Sequence, residues 1–168
     1  MNRIHQPVML TEVLEHLNPH QNGIYVDGTF GAGGHSRAIL ERLKGGKLIA
    51  FEWDQKAVEA VYQDKFFSTP RFTLIKDNFI NLEKHLGRLN ISSVDGFLFD
   101  LGLSSDQLSE NRGFSYRSDS PLDMRMSSEN NLTAEEIINY YSEPKLADIF
   151  YHYGEENRAR QIARKICY

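Results

Sequence analysis

The chain has 168 residues, enough for one domain with a buried core, or for one domain and part of another. Its composition, 40% hydrophobic and 25% charged, is ordinary for a globular protein, and its single cysteine excludes a disulfide framework or a zinc cluster built from cysteines. The net charge of −4 argues against indiscriminate nucleic-acid binding, and the absence of a long apolar run predicts a cytoplasmic protein with no membrane partner.

Four strand candidates alternate with helical patterns along the first hundred residues. The strands are predicted at 23–30, 47–53, 71–76 and 96–100. Between them, apolar residues recur at helical spacing, namely Ile39, Leu40 and Leu43; Ala57, Val58, Val61 and Tyr62; and Leu82, Leu86 and Leu89. This alternation predicts an α/β fold of Rossmann-like type, with four parallel strands and a ligand crevice at their carboxyl ends.

Beyond Asp100 the alternation stops. Residues 101–131 are rich in Ser, Gly, Asn and Asp, and loops of this length are usually functional or disordered. Helices are expected to resume where Thr133 and Glu136 form a capping box, and a second helix is predicted over 143–153.

A last helix is predicted from about Glu155, with Ile162 and Ile166 on one apolar face. Its basic stretch, 157–168, contains no acid, which is typical of a solvated helix face, with a nucleic-acid contact as the alternative. Because the helical repeat is still running at Tyr168, the sequence is expected to be the first part of a larger protein.

A glycine-rich turn, "VDGTFGAGGHS", follows the first predicted strand. Gly31 and Gly33 fit the opening of the dinucleotide pattern G-x-G-x-x-G, but Ser36 stands where its third glycine belongs. The turn could therefore approach a phosphate or a ligand without phosphate, or it could only pack a helix on a strand.

Acidic and aromatic residues after the next two strands favour an adenosine ligand. Glu52 ends the second strand, where an acid typically accepts hydrogen bonds from ribose hydroxyls. Asp54 is expected to cap the following helix. Asp77 and Phe79 follow the third strand, beside the expected adenine pocket, although Phe79 also suits helix packing.

Four segments together resemble one protein family. They are "HQPVML" (5–10), "YVDGTFGAGGHSRAIL" (25–40), "DGFLFDLGLSSDQL" (95–108) and "RGFSYRSDSPLDMRM" (112–126). The chain resembles the bacterial 16S rRNA cytosine-N4 methyltransferase family, of the MraW or RsmH type. It departs from the family pattern at three positions, with Glu52 in place of the usual Asp, Trp53 in place of a basic residue, and Ser120 in place of Gly.

The resemblance implies a class I methyltransferase fold and S-adenosyl-L-methionine as cofactor, with no metal. It implies an incomplete cofactor-binding α/β domain over 1–108, followed over 109–168 by a loop and the start of an inserted helical domain that recognises substrate. The implied partner is 16S rRNA within the small ribosomal subunit, where N4 of a cytidine in the decoding region is modified. By motif position, the family's cofactor contacts fall on Gly33, Gly34, His35, Glu52, Phe79, Asp100 and Gln107.

Asp100 is the candidate catalytic residue, with a purely cofactor-binding role as the alternative. DNA amino-methyltransferases carry an (Asn/Asp/Ser)-Pro-Pro-aromatic motif at this position. The present "DLGLSS" contains neither proline nor an aromatic, which argues against DNA as a partner.

The loop after the fourth strand contains candidate RNA contacts, since arginines suit phosphates and aromatic rings stack on unpaired bases. The candidates are Arg112, Phe114, Tyr116, Arg117 and Arg125. The alternative is a loop folded by its own ion pairs, between these arginines and Asp119 or Asp123.

Two other functional classes stay open at this point. One is a nucleotide-dependent oxidoreductase on the same architecture, and the other is a non-catalytic assembly factor that retains an adenosine pocket. The oligomeric state is also open, with a homodimer as one alternative. The chain of 168 residues is expected to bind cofactor weakly and to be inactive alone.

Overall fold

The computed structural model describes residues 7–103, 111–127 and 130–168. The chain divides into two compact units, one containing the described residues up to Leu103 and the other those from Asn111 onward. The first unit is a parallel sheet with flanking helices. Its strands, in the order β3-β2-β1-β4, are β1 Ile24–Asp27, β2 Lys47–Glu52, β3 Phe72–Lys76 and β4 Gly96–Leu98.

Helices alternate with these strands, which confirms the predicted α/β fold. They are α1 Leu10–Leu17, α2 Gly34–Arg42, α3 Gln55–Gln63 and α4 Leu82–Arg88, with short 3-10 turns at Lys65–Phe67 and Phe79–Asn81. Helix α1 precedes the first strand and was not predicted. The carboxylate of Asp54 caps α3 as expected, accepting the backbone N–H of Lys56 at 2.9 Å and that of Ala57 at 3.4 Å.

Both faces of the sheet are covered by apolar side chains. Leu48 and Ala50 of β2 belong to one buried cluster, which α1, α2 and α3 complete, whereas Ile49 and Phe51 belong to a second cluster that includes Leu86 of α4. Successive side chains of a strand point to opposite faces, so β2 is buried on both. This explains why its sequence is a continuous apolar run.

The predicted apolar faces of the helices are buried at their centres, but two residues at the edges of these faces are exposed. Ile39 of α2 and Val58 and Val61 of α3 are buried, but Tyr62 is 78% exposed. At 100° per residue Tyr62 lies at the margin of the arc centred between the two valines, so its ring extends into solvent. Leu89 caps the end of α4 and is 42% exposed.

The second unit contains three helices among its described residues, α5 Ala134–Tyr140, α6 Glu143–His152 and α7 Ala159–Cys167. The capping box of Thr133 and Glu136 is confirmed. Helices α6 and α7 pack through Leu146 and Ala163, both fully buried. No described helix is long and apolar enough to cross a membrane.

The last helix differs from the prediction in its start and in its packed face. It begins at Ala159, after a turn in which Glu155 adopts a left-handed φ of 50°. Ala159 and Ala163 face the core, while Ile162 and Ile166 are each 39% exposed. Small alanines allow α7 to approach α6 closely, and this close contact decides which face of the helix is buried.

We predict that Ile39→Ala lowers the free energy of unfolding of the first unit by roughly 2–5 kcal/mol, because a fully buried side chain leaves a cavity. Tyr62→Ala, on the exposed margin of α3, should change it by less than about 0.5 kcal/mol. Urea unfolding followed by the fluorescence of Trp53, the single tryptophan, measures both. Equal losses would contradict the packing described for α2 and α3.

Candidate functional site

The glycine turn connects β1 to α2 at the carboxyl edge of the sheet. Gly31 and Gly33 have left-handed φ values of +55° and +76°, which favour glycine. A Cβ on Gly33 would lie 2.5 Å from the Phe30 ring, and one on Gly34 would overlap the Pro7 ring. A Cβ on Gly31 would meet nothing nearer among the described residues than the Thr29 carbonyl oxygen, at 3.9 Å. Gly33 and Gly34 therefore pack the turn against the protein, and Gly31 leaves space for a ligand.

Glu52 attaches this turn to the end of β2. Its Oε2 accepts the backbone N–H of Gly31 at 2.8 Å, while Oε1 accepts those of Trp53 at 2.9 Å and Asp54 at 2.8 Å. The side chain is buried, and burial raises its pKa against the effect of the three hydrogen bonds. A carboxylate oxygen can accept two hydrogen bonds, so Oε2 retains capacity for a ligand hydroxyl.

Asp27, at the end of β1, was not among the predicted site residues. It is 1% exposed; its Oδ2 accepts the Ser36 hydroxyl at 2.7 Å and its Oδ1 accepts the Thr29 N–H at 3.0 Å. Burial raises its pKa in spite of these bonds. An acid that ends an apolar strand directly before a glycine turn is the sequence signal that could have identified it.

Thr29 extends this network to the neighbouring strand β4. Its Oγ1 accepts the backbone N–H of Asp100 at 2.7 Å, and the neighbouring Gly28 donates its N–H to the Leu98 carbonyl at 2.8 Å. These two bonds fix the backbone of Asp100 beside the glycine turn. The Asp100 carboxylate itself is 43% exposed and is accessible to a ligand.

His35 lies in the first turn of α2 with its ring buried. Its Nε2 lies 2.9 Å from the Val8 carbonyl oxygen, and because a carbonyl only accepts, Nε2 carries a hydrogen. Its Nδ1 lies 3.9 Å from Oδ2 of Asp100, too far for a direct hydrogen bond. The structure thus brings together the predicted residues His35 and Asp100, with a gap between their facing polar atoms.

Phe79 and Asp77 follow β3 at the same edge. The Phe79 ring is half-buried and meets the Phe99 ring edge to face, with centroids 5.2 Å apart. Asp77 accepts Nε2–H of His85 at 2.7 Å and the side-chain amide of Asn81 at 3.0 Å, and these bonds lower its pKa. Asp77 therefore orders the connection from β3 to α4. Gln107, the remaining predicted contact, lies outside the described residues.

The predicted RNA contacts all lie in the second unit, and their surroundings separate them into two groups. Arg125 makes a two-pronged ion pair with Asp123, each bond 2.8 Å long, and this pair lowers the pKa of Asp123 to about 2. Arg112 donates to the backbone carbonyls of Arg125 and Met126. The ion pair of Arg125 with Asp123 is one of the pairs that the alternative of a self-folded loop predicted; no ion pair of Asp119 is found among the described residues.

Tyr116 and Arg117 form the second group. The Tyr116 ring is 92% exposed, and the Arg117 guanidinium lies 5.7 Å from its centroid. Phe114, by contrast, is half-buried and lies 5.9 Å from the guanidinium of Arg112. Within the described ranges, no group of three His, Cys, Asp or Glu side chains is arranged to hold a metal ion.

Known proteins similar to this chain include one family and several named relatives. The family model described as "MraW methylase family" matches residues 2–168. Proteins named ribosomal RNA small subunit methyltransferase H from Fervidobacterium nodosum and Lactobacillus delbrueckii subsp. bulgaricus are 49% and 45% identical over 99% and 96% of this chain. A crystal structure of an rRNA methylase from Streptococcus thermophilus aligns with 49% of each chain, with a TM-score of 0.39 and 25% identity.

The chain spans about half the length of these curated relatives, 58% of the first and 54% of the second. The family model, however, covers all but the first residue of the chain. The chain belongs to the MraW methylase family.

Proposed function

We propose that the protein carrying this chain is an S-adenosylmethionine-dependent methyltransferase that modifies N4 of a cytidine in the 16S rRNA of the small ribosomal subunit. The main support, besides the family, is the concentration of carboxylates around the open glycine turn. Asp27, Glu52 and Asp100 lie at the carboxyl ends of β1, β2 and β4, with His35 beside them.

The charge of this edge suits a cationic cofactor. S-adenosylmethionine carries a sulfonium and an ammonium against one carboxylate, whereas a dinucleotide brings a pyrophosphate that three nearby carboxylates would repel. The acidic edge therefore favours the methyl donor over a nicotinamide cofactor. It disfavours the alternative of a nucleotide-dependent oxidoreductase.

The fit extends to individual groups. Oε2 of Glu52 has capacity for a ribose hydroxyl, and Phe79 offers an apolar ring for the adenine. His35 Nδ1 and Asp100 Oδ2, facing each other at 3.9 Å, form two acceptors that suit an ammonium donor. In this assignment Gly33 and Gly34 hold the turn so that the open backbone at Gly31 lines the methionine end, and Gln107 completes the set by motif position.

S-adenosylmethionine supplies an electrophilic methyl group when bound. The lone pair of cytosine N4 is delocalised into the ring, so the chain must orient the amine and accept the proton that it loses. The half-exposed carboxylate of Asp100 can accept that proton, and Thr29 fixes its backbone at the site edge.

Asp100→Asn in the whole protein should reduce kcat for methyl transfer by roughly 10²-fold or more, since it removes a proton acceptor and keeps the backbone bond to Thr29. The assay follows labelled methyl from S-adenosylmethionine into small subunits and identifies the modified nucleoside. Asp95→Asn, the same change at the opposite end of β4, is the control.

Three results separate the alternatives. A raised Kd for cofactor with an unchanged kcat would make Asp100 a binding residue only. Label at a position other than cytidine N4 would contradict the proposed reaction. A protein that binds cofactor and transfers no methyl group would be the assembly factor.

Affinity for S-adenosylmethionine should fall as pH is lowered through the raised pKa values of Asp27 and Glu52. Above those values both groups are anionic and attract the sulfonium; protonation removes this attraction. S-adenosylhomocysteine lacks the sulfonium charge, so its affinity should fall less. Calorimetry with both ligands measures the difference, and thermal unfolding at each pH verifies the fold. An identical pH dependence for the two ligands would contradict the charge argument.

The exposed pair of Tyr116 and Arg117 is the part of the loop that we assign to RNA. Arg117→Glu should weaken RNA binding by roughly tenfold, about 1.4 kcal/mol, and leave cofactor affinity unchanged. Arg88→Glu, at an exposed position of α4, is the control with the same charge reversal. Filter binding with 16S rRNA fragments measures the affinities. Loss of cofactor binding with normal RNA affinity would instead assign this loop to the cofactor.

A further inference from the structure

Helix α7 carries a basic face that the proposed function does not yet use. Arg158, Arg160, Arg164 and Lys165 lie between residues 157 and 168, a stretch without any acid, and all four are exposed. The opposite side of the helix is packed through Ala159 and Ala163. The helix therefore turns its small residues inward and its cations outward.

None of these four cations is paired with a carboxylate among the described residues, in contrast to Arg125 with Asp123. The acids nearest in sequence, Glu155 and Glu156, precede the helix. Glu156 uses its carboxylate to accept the backbone N–H of Arg158 at 2.7 Å. The positive charges thus remain available to a partner.

The stability of the helix accounts for only two of these four cations. Cations near a helix C-terminus interact favourably with its dipole, which explains Arg164 and Lys165. Arg158 at the N-cap and Arg160 in the first turn lie at the positive end, where a cation is unfavourable. Like charges four residues apart, as at Arg160 and Arg164, also destabilise a helix.

The geometry instead suits a row of phosphates. Arg160 and Arg164 project from the same side, about 6 Å apart along the axis, and Gln161 and Lys165 continue the polar arc. One guanidinium group can donate two parallel hydrogen bonds to two oxygens of a phosphate. A protein interface would be expected to centre on apolar or aromatic residues with few charges. Here the exposed Ile162 and Ile166 lie beside the cations, and the exposed Tyr168 lies beyond the last helical residue.

We propose that this basic face of α7 binds the phosphate backbone of the substrate RNA. The inference rests on the proposed function, because it presumes that RNA is the substrate. Phosphate contacts fix the position of a nucleic acid without reading its bases. The face therefore contributes to RNA affinity and to KM, but it neither selects the cytidine nor takes part in the chemical step.

The test removes two charges in each of two variants of the whole protein. Arg160→Gln with Arg164→Gln alters the proposed face, and Lys44→Gln with Lys47→Gln removes equal charge from exposed positions of the first unit. For the first variant, the slope of log K against log salt for 16S rRNA fragments should decrease in magnitude by about 1.4 to 1.8, that is, by about 0.7 to 0.9 for each phosphate that the variant no longer neutralises. The lysine variant should keep the wild-type slope.

Kinetics provide the second readout. The arginine variant should raise KM for RNA with kcat and cofactor affinity unchanged. Arg160→Lys with Arg164→Lys should keep the wild-type salt slope because the charge is kept, and should raise KM less than the glutamine variant because only the paired hydrogen bonds of the guanidinium are lost. Circular dichroism confirms that α7 still folds in the neutral variant.

Each contrary outcome has a distinct meaning. An arginine variant with the wild-type slope and KM would overturn the inference while leaving the proposed function intact. Unchanged RNA binding with an altered molecular mass in solution would assign the face to a protein partner and also overturn it. A wild-type protein that binds cofactor and has no affinity for RNA would overturn the proposed function itself.

Discussion

The buried carboxylate of Asp27 determines how the ends of β1 and β4 and the start of α2 are joined. Burying an unpartnered charge is costly, and here the Ser36 hydroxyl and the Thr29 N–H provide the partners, at 2.7 Å and 3.0 Å. With its backbone held in this way, Thr29 in turn accepts the N–H of Asp100. The raised pKa of Asp27 shows that burial outweighs these bonds. A nearby cation would offset the remaining cost, so the same group that orders the turn also favours a positively charged ligand.

The glycine turn shows that neighbouring glycines can be required for different reasons. Gly33 combines a left-handed φ with close contact to the Phe30 ring, whereas Gly34 makes room for Pro7. Gly31 has a left-handed φ and open space, and its N–H is held by Glu52. The structural and the ligand-binding explanations of this turn therefore apply to different residues. Glu52 belongs to both, since one of its oxygens is filled by backbone donors and the other has capacity left.

Local patterns predicted the strands, the Asp54 cap and the capping box of α5 because the residues concerned are adjacent in sequence. The sequence patterns gave wrong predictions where contacts between elements determine which side chains are buried. Tyr62 satisfies the spacing of α3 but lies at the edge of its buried arc, and in α7 the contact with α6 selects Ala163 over the larger Ile162. The bridge from Thr29 to Asp100 joins residues 71 positions apart, which no local pattern reveals. The family resemblance indicated Asp100 without this geometry, and it gave no role to Asp27.

The arginines of the second unit illustrate the same limit for charge. In sequence, Arg112, Arg117 and Arg125 are equivalent members of one basic and aromatic loop. In the structure Arg125 is neutralised by Asp123, and Arg112 is bound to backbone carbonyls. These two order the loop, and the charge of Arg125 is neutralised within it. Arg117 and the cations of α7 have no carboxylate partner among the described residues, so their charge acts outward. Which arginine serves the fold and which is available to a partner therefore depends on where the nearest acid lies in space.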